Sequence, residues 1–145
     1  MRHLVRGFAV FILGMSMFWS GASLAQERPF DESEAISAAV QVQLEAFAAD
    51  DAETAFDMAS DETKAMVGSP QALLGAVREM YPPLYRPRKA EFAVAEVMGE
   101  NALQEVAITD NNGMVWIAIF LMTLDNQESW KVDSYYLMET SSLEV

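Results

Sequence analysis

DNNGMVWIAIFLMTL, residues 110–124, is the stretch on which the fold turns. Asp110-Asn111-Asn112-Gly113 is the strongest hairpin signal in the chain, because Asp, Asn and Gly tolerate the backbone angles that a tight reversal between strands demands. Met114 to Leu124 is then apolar on both faces, which fits a central strand covered on each side. Outward from it the two-residue period continues. Ala102 to Thr109 reads as a strand behind the turn Gly99-Glu100-Asn101, and Lys89 to Met98 alternates weakly through Phe92, Val94 and Val97. Downstream, Asp125 to Ser129 is a turn and Trp130 to Met138 the last strand. Four consecutive antiparallel strands are expected.

Upstream the period changes. Pro82, Pro83 and Pro87 exclude helix across Tyr81 to Arg88 and favour extended backbone. Before them Ile36, Val40, Leu44 and Phe47 recur at helical spacing, broadened by Ala35, Val42 and Ala46. A helix over residues 33–49 follows, capped by Asp31 or Ser33. Asp50-Asp51 ends it and caps a short helix over 52–59 that turns Phe56 inward. Ser60-Asp61 opens another turn through Met66, with Gly68 as its stop. Ser69-Pro70 starts a helix over about 70–80, with Leu73, Leu74, Val77 and Met80 on its buried side. Helices followed by strands make an α+β pattern: N-terminal helices packed on a curved four-stranded antiparallel sheet, with a pocket between the layers.

Arg2, His3 and Arg6, the apolar run Phe8–Trp19 and the small residues up to Ala25 have the order of a cleaved secretory signal peptide. Residues 1–25 are therefore read as a leader and 26–145 as a single domain. The expected location is the periplasm or the exterior, with no stable membrane insertion after cleavage. The whole chain has 22 acidic and 9 basic residues, one His and no Cys. Loss of the leader leaves 22 acids against 7 bases, a balance of −15, and removes the only histidine. Nucleic acid is excluded as a partner by repulsion. Triads, Cys–His pairs and His- or Cys-ligated metal sites lack their residues, so proton transfer would fall to shifted carboxylates, Tyr or Lys. No cofactor is expected.

The leading AAVQVQLEAFAADDAETAFDMAS, residues 38–60, together with the helix-to-sheet order, resembles the NTF2-like (cystatin-like cone) superfamily. Residues 80–92, MYPPLYRPRKAEF, and the terminal Trp130-x-Val strand are similar to an uncharacterised bacterial family of domains of unknown function (number 4864). Gln43, Phe47, Asp50, Asp51, Ala55, Phe56, Tyr81, Tyr85, Arg86, Pro87, Arg88 and Trp130 carry that narrower likeness, which spans roughly residues 34–138. The resemblance implies a conical pocket and frequent dimers. It implies no single activity, since the superfamily holds isomerases, dehydratases, epoxide hydrolases and non-catalytic binders.

Arg78, Arg86, Arg88 and Lys89 are the main oddity, four of seven mature bases within twelve residues. Arg86 and Arg88 are one residue apart in an extended segment, so they point the same way and can fork onto an anion. The structural alternative is ion pairing with Asp50, Asp51 or Asp57. Tyr81 and Tyr85 flank the proline segment, while Tyr135 and Tyr136 occupy opposite faces of the last strand. A catalytic use of Tyr would need a carboxylate inside the pocket, for which Asp57 is the best placed, with Asp110, Asp125 and Asp133 facing water. Trp116, Phe120, Met114, Met122, Trp130 and Met138 share even-numbered faces, as core or as cavity lining. The acidic runs stand at helix starts, where the macrodipole favours them. The turn at Gly113 fails the calcium-loop template, so no metal site is expected.

These readings make Arg86, Arg88, Tyr81, Tyr85, Trp116 and Phe120 the candidate ligand-binding set, with no catalytic residue assigned. The expected function is an exported non-catalytic domain binding a small apolar or anionic ligand or a protein partner. The alternatives are a His-free isomerase or dehydratase using Tyr and a buried carboxylate, and a structural module that forms a homodimer through its sheet face.

Overall fold

Residues 29–140 are described by a computed structural model. The leader read over residues 1–25 lies outside the described residues. Helices come first: α1 (Pro29–Ala48), α2 (Ala52–Asp57), α3 (Asp61–Val67), α4 (Pro70–Met80) and the single turn α5 (Pro82–Tyr85). Strands β1 (Lys89–Phe92), β2 (Glu96–Met98), β3 (Asn101–Thr109), β4 (Val115–Leu124) and β5 (Trp130–Glu139) follow. They form one antiparallel sheet in the order β1-β3-β4-β5, with β2 also pairing β3.

Local chemistry sets most boundaries. Side chains of Asp51, Ser60 and Ser69 accept from the backbone N–H groups of Thr54, Thr63 and Ala72, satisfying donors that open helix ends leave free. Gly68, at φ 92°, stops α3. Behind α1 the chain closes a Schellman motif: Asp51 N–H donates to Ala46 C=O and Asp50 N–H to Phe47 C=O. Asp50 itself takes the left-handed φ of 57°, where glycine would be the easier residue. The α1 stripe Ile36, Val40, Leu44 and Phe47 is buried against Val106, Ile108, Phe120, Met122 and Val132 from the inner face of the sheet.

The structure departs from the sequence reading at five places. First, α5 lies where prolines were expected to forbid helix. Pro82 and Pro83 occupy its first turn, whose N–H groups need no intrahelical partner, so proline fits there. Second, the sheet has five strands rather than four, because Lys89–Met98 breaks at residues 93–95. Gln104, fully buried on β3, donates to Ala93 C=O, and Ser33 Oγ on α1 accepts from Ala95 N–H. Those two bonds hold the chain off the ladder. Ser33 thus serves inside α1, which begins at Pro29, rather than as its cap.

Third, β5 carries a bulge. Val132 pairs Met122 while Ser134 pairs Leu121, leaving Asp133 as the extra residue. One extra residue exchanges the two faces. Trp130 and Val132 point inward, Tyr135 is inward beyond the bulge, and Met138 is exposed rather than sharing a face with Trp130. Fourth, Met80, Val42 and Ala35 are exposed, so the buried stripes are narrower than the apolar pattern implied. Fifth, β4 is covered on one side only within the described chain. Ala118, Phe120 and Met122 are buried, while Ile117, Ile119 and Leu121 remain half-exposed.

Candidate functional site

Asp50 is the hub of the proline segment. Its carboxylate accepts from Arg78 Nη2 and from the Tyr85 hydroxyl through one oxygen, and from Arg86 Nη2 at 3.0 Å through the other. Both guanidiniums lie over the Tyr85 ring, their carbons 5.0 Å (Arg78) and 4.6 Å (Arg86) from its centroid. Arg86 Nε also donates to Ala48 C=O at 3.0 Å, on the last turn of α1, where a cation is favoured. The Tyr85 and Arg78 hydrogen bonds, in that order, hold the Asp50 carboxyl below its ordinary pKa. The left-handed Asp50 backbone aims this carboxylate at α4 and α5, so the cluster ties three helices together.

Arg88 is placed otherwise. Among the described residues it makes no ion pair and no side-chain hydrogen bond, although its charge helps keep the Asp110 carboxyl below its ordinary pKa. Its Nη2 lies beside the hairpin, 3.8 Å from where a Cβ on Gly113 would stand. There Arg88 lines one end of a cleft of about 390 Å³ between α1 and β1, whose floor includes Leu44, Ala48, Ala90 and Phe92. Lys89 and Glu45 are also on its walls; Lys89 Nζ pairs Glu91 at 2.9 Å, and Glu45 accepts from the Gln41 amide. A second cleft of about 330 Å³ adjoins it, sharing Gln41 and Phe92 and continuing past Ser37, Ala38 and Val94.

The remaining expected site residues lie elsewhere. Tyr81 packs edge-on against Tyr135 at 4.8 Å, and Tyr135 tilts against Phe120 at 5.8 Å. Phe120 has no exposed surface, and burial pushes the Tyr135 phenol upward. Trp116 is half-buried and donates through Nε1 to Asp110 Oδ2 at 3.0 Å. That bond is the largest cause of the lowered Asp110 pKa, and Asp110 also accepts from the Asn112 and Met114 N–H groups to close the hairpin. The structure therefore joins Tyr85 and Arg86 at Asp50, sets Tyr81 and Phe120 in the core, and leaves Arg88 at the cleft.

Asp57 is exposed, its backbone carbonyl taking the Lys131 ammonium. Asp110, Asp125 and Asp133 are half-buried rather than facing water, and the Asp133 carboxylate accepts from Ser60 Oγ at 2.8 Å. Among the described residues four carboxylates are displaced, Asp50, Asp51, Asp110 and Asp125, all downward. Among the described residues no group of three or more His, Cys, Asp or Glu is arranged to hold a metal. Sequence reasoning missed the cleft wall on α1. Its signal was available as Gln41, Glu45 and Ala48, a stripe at helical spacing beside the core stripe that holds Leu44.

A family model described as a domain of unknown function (DUF4864) matches residues 29–145. Two solved structures of NTF2-like proteins of unknown function superpose on the fold. The Shewanella baltica OS155 protein is 17% identical with a TM-score of 0.53, over 76% of this chain and 96% of its own. The Silicibacter pomeroyi DSS-3 protein is 15% identical with a TM-score of 0.53, over 76% of this chain and 97% of its own. At that identity the likeness concerns the fold alone. No curated protein matches the sequence.

Proposed function

This chain belongs to the DUF4864 family and has the NTF2-like fold, and from that premise we propose that it is an exported, non-catalytic domain binding a small molecule in the α1–β1 cleft. The observation that carries the reading is Arg88, a cation without an ion-pair partner among the described residues, standing at one end of a largely apolar cleft. Most pocket-bound ligands are held by apolar contact and oriented by a few polar groups, and this cleft offers both. Arg86 serves the Asp50 cluster instead, so the anion-binding role expected of the pair passes to Arg88. The isomerase or dehydratase alternative needs a carboxylate held protonated beside a Tyr. Asp50, which accepts from the Tyr85 hydroxyl, is pulled the other way.

The test is amide chemical-shift mapping of the leaderless protein with a panel of small aromatic and aliphatic acids. Shifts clustered at Leu44, Ala48 and residues 88–92 support the reading. A response confined to other surfaces, or none, refutes it.

A second reading is favoured by the outer face of the sheet. Ile117, Ile119 and Leu121 on β4 are flanked by the exposed Tyr136 and Met138 on β5, and an apolar face of this kind is unusual on a monomer. A second copy of the chain would cover it. Ile119→Lys then converts a dimer into a monomer in sedimentation while leaving the far-UV spectrum unchanged; a wild-type monomer at high concentration removes this reading.

A further inference from the structure

Resting on the cleft reading above, we infer that its ligand is a free long-chain carboxylate, with the headgroup on Arg88 and the alkyl chain along α1. Three observations converge. The two adjoining clefts share Gln41 and Phe92, so they form one groove rather than two sites. Glu34, Ala38, Gln41, Glu45 and Ala48 mark its α1 wall at helical spacing, and the 1.5 Å rise per residue makes that wall about 20 Å long. The opposite wall runs from Pro87 to Val94, and near-extended backbone gives a similar length of about 20 Å. The groove thus runs the length of both walls.

Its charge is uneven. Arg88 stands at the hairpin end without an ion pair among the described residues, while Lys89 is shared with Glu91. Phe92 lies at the junction, and the far cleft offers Ala38, Ala93 and Val94 beside the Glu34 carboxylate and the Ser37 hydroxyl, which is already donated to Gln104. An extended ligand that is anionic at one end and apolar along its length matches this arrangement. An extended peptide matches it less well. β1 has four residues, is preceded by Pro87 and carries Lys89, features that discourage strand addition at a sheet edge. A net charge of −13 sets the protein against anionic membrane surfaces but not against a single carboxylate seated on Arg88.

Titration calorimetry of the leaderless protein with octanoate, dodecanoate and dodecanol, each below its aggregation threshold, tests this. Dodecanoate should bind tighter than octanoate by about two- to fourfold per added methylene that the groove covers. Arg88→Gln should weaken dodecanoate about tenfold and leave dodecanol unchanged. Glu45→Gln should tighten dodecanoate severalfold, since it removes the opposing charge on the α1 wall. Ala38→Trp, on an exposed helix position, should block the far half and erase the difference between dodecanoate and octanoate. Equal binding of acid and alcohol, with Arg88→Gln silent, overturns the carboxylate while the cleft reading survives through the shift map. Absence of alkyl binding alongside a positive shift map for aromatic acids does the same. Absence of both ends the two together. Binding to phosphatidylglycerol vesicles in place of the free acid also overturns the inference.

Discussion

Replacing Gln104 with Met removes one side chain and three hydrogen bonds at once. Gln104 is fully buried, accepts from Ser37 Oγ at 2.7 Å, and donates to Ala93 C=O at 2.8 Å and to Glu105 C=O at 2.9 Å. At about 1 kcal/mol net for each bond, the gross loss is about 3 kcal/mol. Ser37 is half-buried and Ala93 exposed, so water recovers part of two of them, and Met fills most of the volume. The expected cost is about 2 kcal/mol, or about 6–10 °C in Tm for a domain of this size. Urea unfolding followed by Trp116 and Trp130 fluorescence reads it directly, with the slope unchanged. Combined with Ser37→Ala, the double-mutant coupling should be about 1 kcal/mol. Amide exchange at Ala95 should quicken, because the bend over residues 93–95 loses one of its two pins. A loss below about 0.5 kcal/mol with no coupling would falsify the claim that this network splits the first strand in two.

Three further outcomes follow from particular residues. Asp50, Asp51, Asp110 and Asp125 have folded pKa values below the ordinary 3.8, so their contribution is complete above about pH 4 and is lost as pH falls through the folded values. Asp50→Asn keeps a residue that tolerates left-handed backbone but should flatten the acid limb of the urea midpoint between pH 7 and pH 2; an unchanged limb would mean the Arg78–Tyr85–Arg86 cluster contributes nothing to it. Gly68→Ala meets no atom within 4 Å, so its cost should be backbone strain alone, about 1 kcal/mol, and a neutral result would contradict the φ of 92° that ends α3. Phe120→Ala empties a fully buried site beside Tyr135 and should cost about 3–5 kcal/mol in chemical denaturation, a value under 2 kcal/mol meaning that its neighbours close the space.

The elements that sequence could specify are those set by local chemistry. Asp51, Ser60, Ser69 and Gly68 act within a few residues of themselves, and the Asp110–Gly113 hairpin is closed by its own Asp110 carboxylate. What escaped depends on distant partners. The break at residues 93–95 is made by Ser33 and Gln104, which lie 62 and 11 residues away from the groups they bind. Gln104 does fall in phase with Ala102, Val106 and Ile108, so its inward position was legible while its partners were not. The bulge at Asp133 answers to Ser60 Oγ, 73 residues earlier, and it reverses every face assignment after it. For the candidate site, Asp50 was among the acids expected to meet the arginines, but the contact of Tyr85 with both guanidiniums was not foreseen. Arg86 and Arg88 part company because α1 ends beside one of them and the hairpin turns beside the other.

The bridge between Ala59 and Val132 bears on how the chain is made. Met58 C=O accepts from Val132 N–H and Ser60 N–H donates to Val132 C=O, both at 2.8 Å, so the link between α2 and α3 is held by the last strand. During synthesis every helix emerges before any strand that covers it, and closing so long a loop is slow. The core is completed only once Val132 is available to close it. Until then α1 presents Ile36, Val40, Leu44 and Phe47 to whatever meets a nascent chain. A fragment ending before Trp130 is accordingly no smaller version of this domain, and native structure should appear only after residue 132 is free.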